Sequence, residues 1–418
     1  MFRFTDHIIG QMTLGCNLNC AYCYEGSRIK ENKEYISFAN FKKAFDSCVY
    51  QRCVLGERDN HLDWHFHGGE PLLNEEILEE CIKYINRRRK FFPNLTFCIQ
   101  TNGTLVTEKV ARLFVENDVS IGISFDGFES NGRMTREQNE SLIAKLRKLK
   151  KETGVRFGCL SVLSKENEKT WFNDMRATSD LFNQCGVNLL CADSSNAHKI
   201  PTADDQWDYW VKPCLETWTS SNPLRERYVQ LAIENFITYE VLSTVKDQVD
   251  KTGCFNRICA HGVNMIGIRP DLSVHNCDKY AEEGSFVGNR PSYSVDSRDF
   301  LGLQQTLRYA KYCEEMFALE TAKGCDNCPW SFLCTGECQS YNISTKGKLS
   351  LDSTPCSMYE KTFDFLKLNW MKILALHTIE AQAEIKGIRP SYLREIQLYG
   401  YKPIIDLENN TFKLEKIV

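Results

Sequence analysis

Three cysteines near the start of the chain, in the stretch CNLNCAYC, have the residue type and spacing to hold a metal cluster. Cys16, Cys20 and Cys23 follow a C-x3-C-x2-C pattern within one compact loop. Iron–sulfur clusters normally take four cysteines, so three thiolates would leave one iron open to a ligand from outside the protein. The alternative is a zinc site, whose fourth ligand would come from elsewhere in the chain, for example His61, His65 or His67.

A second group of cysteines lies in the later part of the chain and would suit clusters with no open position. The stretch CDNCPWSFLCTGEC has a C-x2-C-x5-C-x3-C pattern, and further cysteines flank it. Eight thiols are enough for two fully ligated clusters or for a pair of four-cysteine zinc sites. The eight are Cys254, Cys259, Cys277, Cys325, Cys328, Cys334, Cys338 and Cys356. We expect the nine remaining cysteines, such as Cys81, Cys98 and Cys159, to be packing residues.

The composition indicates a reducing compartment. The chain has 20 cysteines in 418 residues, but its N-terminus lacks the apolar core of a secretory signal, and no apolar run reaches the length of a membrane span. We therefore expect a cytoplasmic protein whose clustered cysteines bind metal rather than form disulfides. The net charge of −4 argues against nucleic acid or an anionic membrane as the main partner.

The elements that must position these cysteines follow a strand–helix alternation. From residue 8 to about 195, six short apolar runs alternate with stretches whose apolar residues lie three and four apart. This alternation predicts a parallel α/β domain, and six strands favour a partial barrel or an open sheet over a full eight-stranded barrel. Functional residues of such folds lie at the carboxyl ends of the strands, which is where CNLNC, HGGEP, QTNG and SFDG fall.

The length of 418 residues predicts two to three domains. Helical patterns cover residues 204–250, short segments with many cysteines follow, and a long helical pattern begins after Cys356. We predict an α/β barrel over residues 1–203, a helical connector over 204–252, a cysteine-rich domain over 253–370 and a helical C-terminal extension over 371–418. The pattern of residues 387–418 is mixed, and it predicts no role for them.

The motifs CNLNCAYC, HGGEPLL, QTNG and GISFDG, in this order, resemble those of the radical S-adenosylmethionine (SAM) superfamily. The resemblance implies a partial (β/α)6 TIM-like barrel and a [4Fe–4S] cluster on Cys16, Cys20 and Cys23 whose fourth iron binds SAM. Electron transfer from that cluster cleaves SAM to methionine and a 5′-deoxyadenosyl radical, which abstracts hydrogen from an inert C–H bond. A flavodoxin or ferredoxin-type reductant is implied, because a donor must supply the electron.

The same resemblance implies roles around SAM for several residues at the strand ends. Tyr22 would lie by the adenine. Gly68, Gly69 and Glu70 match a Gly-Gly-Glu motif whose backbone and carboxylate bind the methionine amino group, since glycine lets the backbone approach a ligand closely. Asn102 and Ser124 would face the ribose or the methionine end. The alternative is that QTNG is an ordinary turn, Ser124 a loop cap and Asp126-Gly127 another turn.

The later cysteines resemble the SPASM extension, a domain with two auxiliary clusters found in many peptide-modifying radical SAM enzymes. The resemblance implies two further [4Fe–4S] clusters that carry electrons without binding substrate. One would use Cys254, Cys259, Cys277 and Cys338, and the other Cys325, Cys328, Cys334 and Cys356. The chain departs from the pattern at Leu272, where the family usually has a glycine, and we expect this to loosen the hairpin turn there.

Asp278, directly after Cys277, resembles an aspartate of the anaerobic sulfatase-maturating enzymes. That resemblance implies a catalytic base, because a partly desolvated carboxylate can have a raised pKa. The alternative is an aspartate that caps the hairpin turn.

Two reactions on a peptide or protein substrate compete. In the first, the enzyme is an oxidoreductase that installs a carbon–carbon or thioether crosslink in a ribosomally made peptide. In the second, it oxidises a cysteine or serine of a sulfatase to formylglycine. Only 15 residues precede Cys16, too few for an N-terminal leader-binding module, which counts against the first. A methyltransferase, an epimerase and a non-catalytic electron carrier are further alternatives, although HGGEP and SFDG disfavour the carrier.

Overall fold

The computed structural model describes most of the N-terminal half of the chain and separate segments of the rest. The described residues are 7–23, 34–54, 61–129, 132–189, 197–220, 222–242, 265–275, 293–295, 303–331, 333–334, 350–351, 355–382, 401–406 and 411–416. Of the predicted site residues, Cys254, Cys259, Cys277, Asp278 and Cys338 lie outside these ranges.

Six parallel strands, paired in chain order, form the body of the fold. They are β1 (His7–Thr13), β2 (Leu62–Gly68), β3 (Leu95–Thr101), β4 (Ser120–Ser124), β5 (Phe157–Leu163) and β6 (Phe182–Leu189). The predicted parallel α/β architecture is confirmed. The sixth strand begins at Phe182, earlier than the apolar run GVNLLCAD indicates, because Phe182 pairs with Phe157 of β5.

The sheet continues beyond β1 on its other side. Strand β7 (Met265–Ile268) pairs parallel with β1, and β8 (Ser273–His275) and β9 (Tyr293–Ser294) follow antiparallel. The nine strands have the order β6-β5-β4-β3-β2-β1-β7-β8-β9. The first strand therefore lies inside the sheet, and residues of the predicted cysteine-rich domain extend the barrel sheet. The predicted domain boundaries themselves stay a prediction.

The described helices connect the parallel strands and continue through the rest of the chain. They are α1 (Phe38–Val54), α2 (Glu75–Arg88), α3 (Glu108–Glu116), α4 (Arg136–Thr153), α5 (Glu168–Ala177), α6 (Ala203–Gln206), α7 (Lys212–Trp218), α8 (Arg227–Leu242), α9 (Leu303–Lys323) and α10 (Cys356–Gln382). A π-helical turn, Trp207–Val211, joins α6 to α7. Local sequence sets several ends: Thr135 and Gln138 form a capping box at the start of α4, and Gly154 ends it with a left-handed φ of 74°.

Alternation along β2 separates an apolar face from a polar one. Trp64 and Phe66 are fully buried and pack against helix α1, with ring centroids of Trp64 5.3 Å from Phe41 and 5.5 Å from Phe45. Asp63 and His65, between them in sequence, are half-buried and point to the opposite face, since side chains alternate along a strand. The helices thus cover an aromatic core, and the other face of the strands carries polar groups.

The turn between β7 and β8 contains Leu272 in a left-handed conformation, with φ of 69°. The backbone N–H of Leu272 donates to Arg269 O at 2.9 Å, and its carbonyl accepts from Val295 N at 3.0 Å. The turn is therefore closed by hydrogen bonds, and the expectation that Leu272 loosens it stays a prediction. A leucine in this conformation costs about 1–2 kcal/mol relative to glycine, and burial of its side chain offsets part of that cost.

The C-terminal region differs from the predicted helical extension beyond α10. The helix runs from Cys356 to Gln382, as the sequence pattern predicts, but β10 (Tyr401–Asp406) and β11 (Thr411–Lys416) then form a separate antiparallel pair. The prediction of helix was wrong for this part. Within the described residues, none of the helices combines the length and apolar character needed to cross a membrane.

Candidate active site

The N-terminal cysteine loop follows directly on β1, at the carboxyl end of the parallel strands. Two backbone hydrogen bonds shape it: Cys23 N donates to Cys20 O at 3.1 Å, and Ala21 N donates to Gly132 O at 2.9 Å. The thiols of Cys16, Cys20 and Cys23 are half-buried and close enough to influence one another electrostatically. The loop thus brings the three predicted cluster ligands together.

Burial governs the ionisation of two of these thiols. It raises the pKa of Cys20 to about 11 and also raises that of Cys16, while the positive charge of Arg133 opposes both shifts. Both Cys16 and Cys20 therefore favour the protonated thiol at neutral pH. Iron binds thiolate, so cluster assembly must displace these protons.

The glycine turn after β2 is held against the cysteine loop by the backbone. Gly69 N donates to Thr13 O at 2.9 Å, and Glu70 N donates to Gly15 O at 2.8 Å. A Cβ atom on Gly68, which has φ of 123°, would lie 2.2 Å from Thr13 O, and one on Gly69 would lie 2.1 Å from Gly15 O. Both glycines are required because the chain packs against itself here.

Glu70 connects this turn to the end of β3. Its side chain is fully buried and accepts hydrogen bonds from Leu72 N at 3.1 Å, Thr101 Oγ1 at 2.7 Å and Asn102 N at 2.8 Å. Burial raises the pKa of Glu70 above its ordinary value, and the three hydrogen bonds oppose that rise. Since a carboxylate accepts about four hydrogen bonds, about one position is left for a ligand.

Replacing Glu70 by glutamine should destabilise the protein and weaken SAM binding. The amide NH2 of glutamine would face a protein donor, either Asn102 N or the pair formed by Leu72 N and Thr101 Oγ1. An unpaired buried donor costs about 1–3 kcal/mol. Urea unfolding and equilibrium SAM binding measure the two effects. Glu76→Gln, an exposed substitution in α2, is the matched control. Unchanged stability and SAM affinity in Glu70→Gln would show that the hydrogen bonds accepted by Glu70 do not support the site.

Asn102 lies beside the first cysteine of the loop. Its Nδ2 donates to Asn17 Oδ1 at 2.8 Å and lies 4.0 Å from Cys16 Sγ, while its Oδ1 accepts from Thr104 N at 2.9 Å. The QTNG turn therefore ties the end of β3 to the cysteine loop. Ser124, at the end of β4, accepts from Gln100 Nε2 at 2.7 Å and is half-buried.

Tyr22 belongs to a buried group that includes two residues the motifs did not assign to the site. Its hydroxyl donates to Asp126 Oδ2 and accepts from Arg133 Nε at 2.9 Å. Asp126 is 3% exposed; it pairs with Arg133 Nε at 3.0 Å, and its Oδ1 accepts from Val162 N at 2.7 Å. Asp126 thus holds Tyr22 and Arg133, a role that the alternative of an ordinary Asp-Gly turn does not include. The position of Asp126 directly after a buried strand could have marked it as a site residue. No local sequence pattern marks Arg133 in this way.

This group places a positive charge near the cysteine loop. Arg133 has a 13% exposed side chain, and its charge acts on both Cys16 and Cys20. Burial raises the pKa of Tyr22 well above its ordinary range, with the negative charge of Asp126 adding to that rise. Tyr22 therefore stays a neutral phenol. The hydrogen bonds among Tyr22, Asp126 and Arg133 therefore hold the part of the cysteine loop between Cys20 and Cys23.

The zinc alternative for the first cysteine motif does not fit the strand register for two of its three histidines. His65 pairs with Ile9, four residues before the end of β1, and His61 precedes β2. At about 3.3 Å per residue, His65 lies roughly 13 Å below the end of β1 along the strand direction, and His61 lies further. Zinc ligands must all lie about 2 Å from the metal, so neither histidine completes a site with these cysteines.

Four of the later cysteines lie within the described residues. Cys325 follows α9 in a short turn, where Cys328 N donates to Cys325 O at 3.0 Å, and Cys356 begins α10. Burial raises the pKa of Cys325, and the charges of Glu320, Cys356 and Cys328 add to that rise, so the thiols of Cys328 and Cys356 act electrostatically on that of Cys325. The N–H of Cys334 donates to Trp330 O at 2.9 Å.

Comparisons with known proteins cover most of the chain. Residues 11–176 match the model of the radical SAM superfamily. A cysteine-type anaerobic sulfatase-maturating enzyme of Clostridium perfringens is 24% identical over 373 residues, which cover 86% of this chain and 95% of that enzyme. The radical SAM cyclopropyl synthase TigE of Paramaledivibacter caminithermalis is 23% identical over 357 residues, covering 82% of this chain and 70% of TigE. The chain spans 40% of an uncharacterised Methanocaldococcus jannaschii protein that is 41% identical over 125 residues.

A solved structure has a similar fold over almost its whole length. It is native anSMEcpe with bound AdoMet and the Cp18Cys peptide, which has a TM-score of 0.67 and 20% identity, and the match covers 89% of this chain and 99% of that one. At this identity the likeness shows the fold alone, and it agrees with the strand order and helices described above.

Proposed function

We propose that the protein uses a radical SAM domain, whose family model matches residues 11–176, to abstract a hydrogen atom from a residue of a peptide or protein. The observation that carries the proposal is the cysteine loop, which presents three half-buried thiols at the carboxyl end of the strands. These residues fit a [4Fe–4S] cluster with one iron left for SAM. When bound, the cluster and SAM supply the reductive cleavage that starts the reaction.

The protein groups around the loop would bind and orient SAM. The turn of Gly68, Gly69 and Glu70 is fixed to the loop backbone, so its position follows that of the cluster ligands. Asn102 lies beside Cys16, and Arg133 supplies a partly buried positive charge that suits the methionine carboxylate. Tyr22 and Ser124 complete the set, Tyr22 as a neutral aromatic group by the adenine.

The later cysteines would hold two auxiliary [4Fe–4S] clusters. The electrostatic influence of Cys356 and Cys328 on Cys325 supports one cluster on these three with Cys334. The second set, Cys254, Cys259, Cys277 and Cys338, rests on the resemblance to the SPASM extension. Fully ligated clusters cannot bind substrate, so we assign them to electron transfer, with a flavodoxin or ferredoxin-type protein as the external reductant.

The finer proposal is an oxidative crosslink, carbon–carbon or thioether, in a ribosomally made peptide. Forming such a bond removes two hydrogen atoms from the peptide: the radical step takes one, and a base and an electron acceptor take the proton and electron of the other. The similarity to TigE over 82% of this chain supports a reaction of this kind. This removal of two hydrogen atoms would make the enzyme an oxidoreductase.

Formylglycine formation is the second candidate, and a specific observation favours it. The sulfatase-maturating enzyme of C. perfringens aligns with this chain over 95% of its own length, whereas TigE aligns over 70%. Oxidation of a cysteine to formylglycine needs the same hydrogen abstraction and the same removal of an electron. The two candidates differ in the peptide that is bound and in the fate of the oxidised carbon.

A peptide carrying Cys-x-Pro-x-Arg separates these candidates. The anaerobically reconstituted protein is incubated with SAM, a reductant and this peptide, and the products are examined by mass spectrometry and aldehyde trapping. We expect 5′-deoxyadenosine with an unchanged peptide, which directs the search to ribosomal peptides. A trapped aldehyde would overturn the crosslink proposal and establish sulfatase maturation. A lack of 5′-deoxyadenosine would contradict the radical SAM activity itself.

Replacing Asp278 by asparagine should spare SAM cleavage but block product formation. The variant keeps the size of the side chain and removes the base that we propose accepts a proton from the substrate radical. Comparison of 5′-deoxyadenosine with modified peptide in the same reaction measures the separation of the two steps, and we expect product to fall about 100-fold or more. Asp271→Asn, at an exposed position in the β7–β8 turn, is the control. Unchanged product yield in Asp278→Asn would remove the base from the mechanism.

A further inference from the structure

A second cluster of chemically active side chains lies at the amino ends of the first strands, away from the cysteine loop. His7 begins β1 and pairs with Asp63 of β2 in the register, and His65 follows two residues later on the same face of β2. One ligand atom from each of these three residues lies within 4.8 Å of the others. Six residues separate His7 from the end of β1, about 20 Å at 3.3 Å per residue, so this cluster is distinct from the SAM site.

The contacts converge on the carboxylate of Asp63. Its Oδ2 lies 2.5 Å from His65 Nε2 and 3.6 Å from His7 Nδ1. Its other oxygen, Oδ1, accepts from Thr96 Oγ1 at 2.8 Å. Two imidazoles therefore share one carboxylate oxygen, and a hydroxyl from the neighbouring strand fixes the other oxygen.

A third histidine lies at the edge of the same cluster. The ring centroid of His7 is 5.9 Å from that of His61 and 5.8 Å from that of His65. His61 Nε2 contacts Thr96 Oγ1 at 3.1 Å. The whole chain has eight histidines. Three of them lie around Asp63: His7, and His61 and His65, whose ring centroids are within 6 Å of that of His7.

We propose that His7, Asp63 and His65 form a binding site for a divalent transition metal of the zinc class. Two imidazole nitrogens with one carboxylate oxygen are the donor set that zinc accepts with a fourth position left for water. Magnesium and calcium prefer oxygen ligands throughout. Zinc–ligand distances near 2.0–2.1 Å imply tetrahedral neighbours about 3.3 Å apart, and the measured separations of 2.5 and 3.6 Å lie on either side of that value.

Neighbouring residues would orient the ligands. Thr96 holds the Asp63 carboxylate, and Cys98 of β3 pairs with His65 in the register. Partners of this kind fix the orientation of metal ligands and contribute to affinity. The exposed fractions of the three ligand side chains, 22% for His7, 16% for Asp63 and 32% for His65, leave an entry path for the ion.

The location assigns the metal a structural role. Residues at the amino-terminal face of a parallel barrel serve stability, while the chemistry takes place at the carboxyl end. The ion would clamp the start of β1, the strand that leads into the cysteine loop, to the start of β2. Such a clamp would hold β1 in register between β2 and β7 without touching SAM or substrate.

Zinc titration of the iron-loaded protein tests the proposal. Isothermal titration calorimetry with ZnCl2 under anaerobic conditions should give one site per chain. His65→Gln and His7→Gln should each weaken binding about 100-fold or more, since loss of a ligand costs at least as much as loss of a group that orients one. His198→Gln, at an exposed histidine, should bind zinc as the wild type does. Iron content and 5′-deoxyadenosine formation should stay unchanged in all three variants.

Two outcomes of the titration would overturn the proposal. Equal zinc affinity in the wild type and both ligand variants would place the bound ion elsewhere, and wild-type binding weaker than about 1 μM would reduce the cluster to a hydrogen-bond network. A thermal unfolding measurement guards against misfolded variants. Zinc should raise the Tm of the wild type while magnesium does not, and an equal response to both ions would also contradict the assignment.

Discussion

Cys20→Ala should abolish the formation of 5′-deoxyadenosine from SAM. Cys20 lies at the centre of the loop that brings the three thiols together, and the remaining Cys16 and Cys23 cannot hold three irons of a cubane cluster. Without the cluster there is no electron for SAM cleavage. We expect a fall of at least about 1,000-fold, the scale seen when an essential group of a catalytic unit is removed. Anaerobic assay of 5′-deoxyadenosine after reconstitution measures it.

A matched cysteine variant shows whether the loss of 5′-deoxyadenosine formation is specific to the cysteine loop. Cys53→Ala removes an exposed thiol of α1 that none of the three predicted clusters uses, and it should keep wild-type iron content and SAM cleavage. Cys20→Ala should instead lose the iron of one cluster while keeping its fold, which circular dichroism reports. If Cys20→Ala still released 5′-deoxyadenosine, the assignment of this loop to the SAM-cleaving cluster would be wrong.

Gly69→Ala should disrupt the SAM site through the backbone alone. The added Cβ would lie 2.1 Å from Gly15 O and 2.6 Å from Gly15 C, where no flexible side chain can give way. The turn must move off the cysteine loop and lose the hydrogen bonds from Gly69 N and Glu70 N. Overpacking of this kind costs about 1–3 kcal/mol, and we expect SAM cleavage to fall about 100-fold because displacement of positioning groups by about 1 Å has that effect.

Gly158→Ala provides the matched control, since it adds the same methyl group to a strand of the same sheet. A Cβ on Gly158 in β5 would meet Gln184 O and Ile121 O at 3.6 Å, an ordinary contact distance. We expect its free energy of unfolding to stay within about 0.5 kcal/mol of the wild type and its SAM cleavage to be unchanged. Similar activities in Gly69→Ala and Gly158→Ala would show that the turn does not need this close approach.

The sequence predicted the parts of the site that depend on local pattern. Strand–helix alternation indicated the parallel sheet, and the motifs placed the cysteine loop, the glycine turn and Asn102 at the carboxyl ends of consecutive strands. The position of each motif at the end of a predicted strand was enough to bring these residues together, because parallel strands paired in chain order have their carboxyl ends at one edge.

The sequence could not predict contacts between distant segments. Arg133 reaches Tyr22 across 111 residues, and nothing near Arg133 marks it as part of the site. Glu70 was expected to bind a ligand, yet three of its acceptor positions are filled by the protein's own donors. The pairing of β7 with β1 is likewise decided by tertiary structure, since a four-residue apolar segment fits many partners.

The long reach of the contacts around Tyr22 has a consequence for the order of events during synthesis. The three cysteines leave the ribosome before Asp126 and Arg133, which hold Tyr22 and follow it by 104 and 111 residues. At about 5–20 residues per second, that interval is roughly 5–20 s. Throughout it the nascent chain carries thiols without the partners that shape their loop. We therefore expect iron delivery to this loop to follow the translation of Arg133.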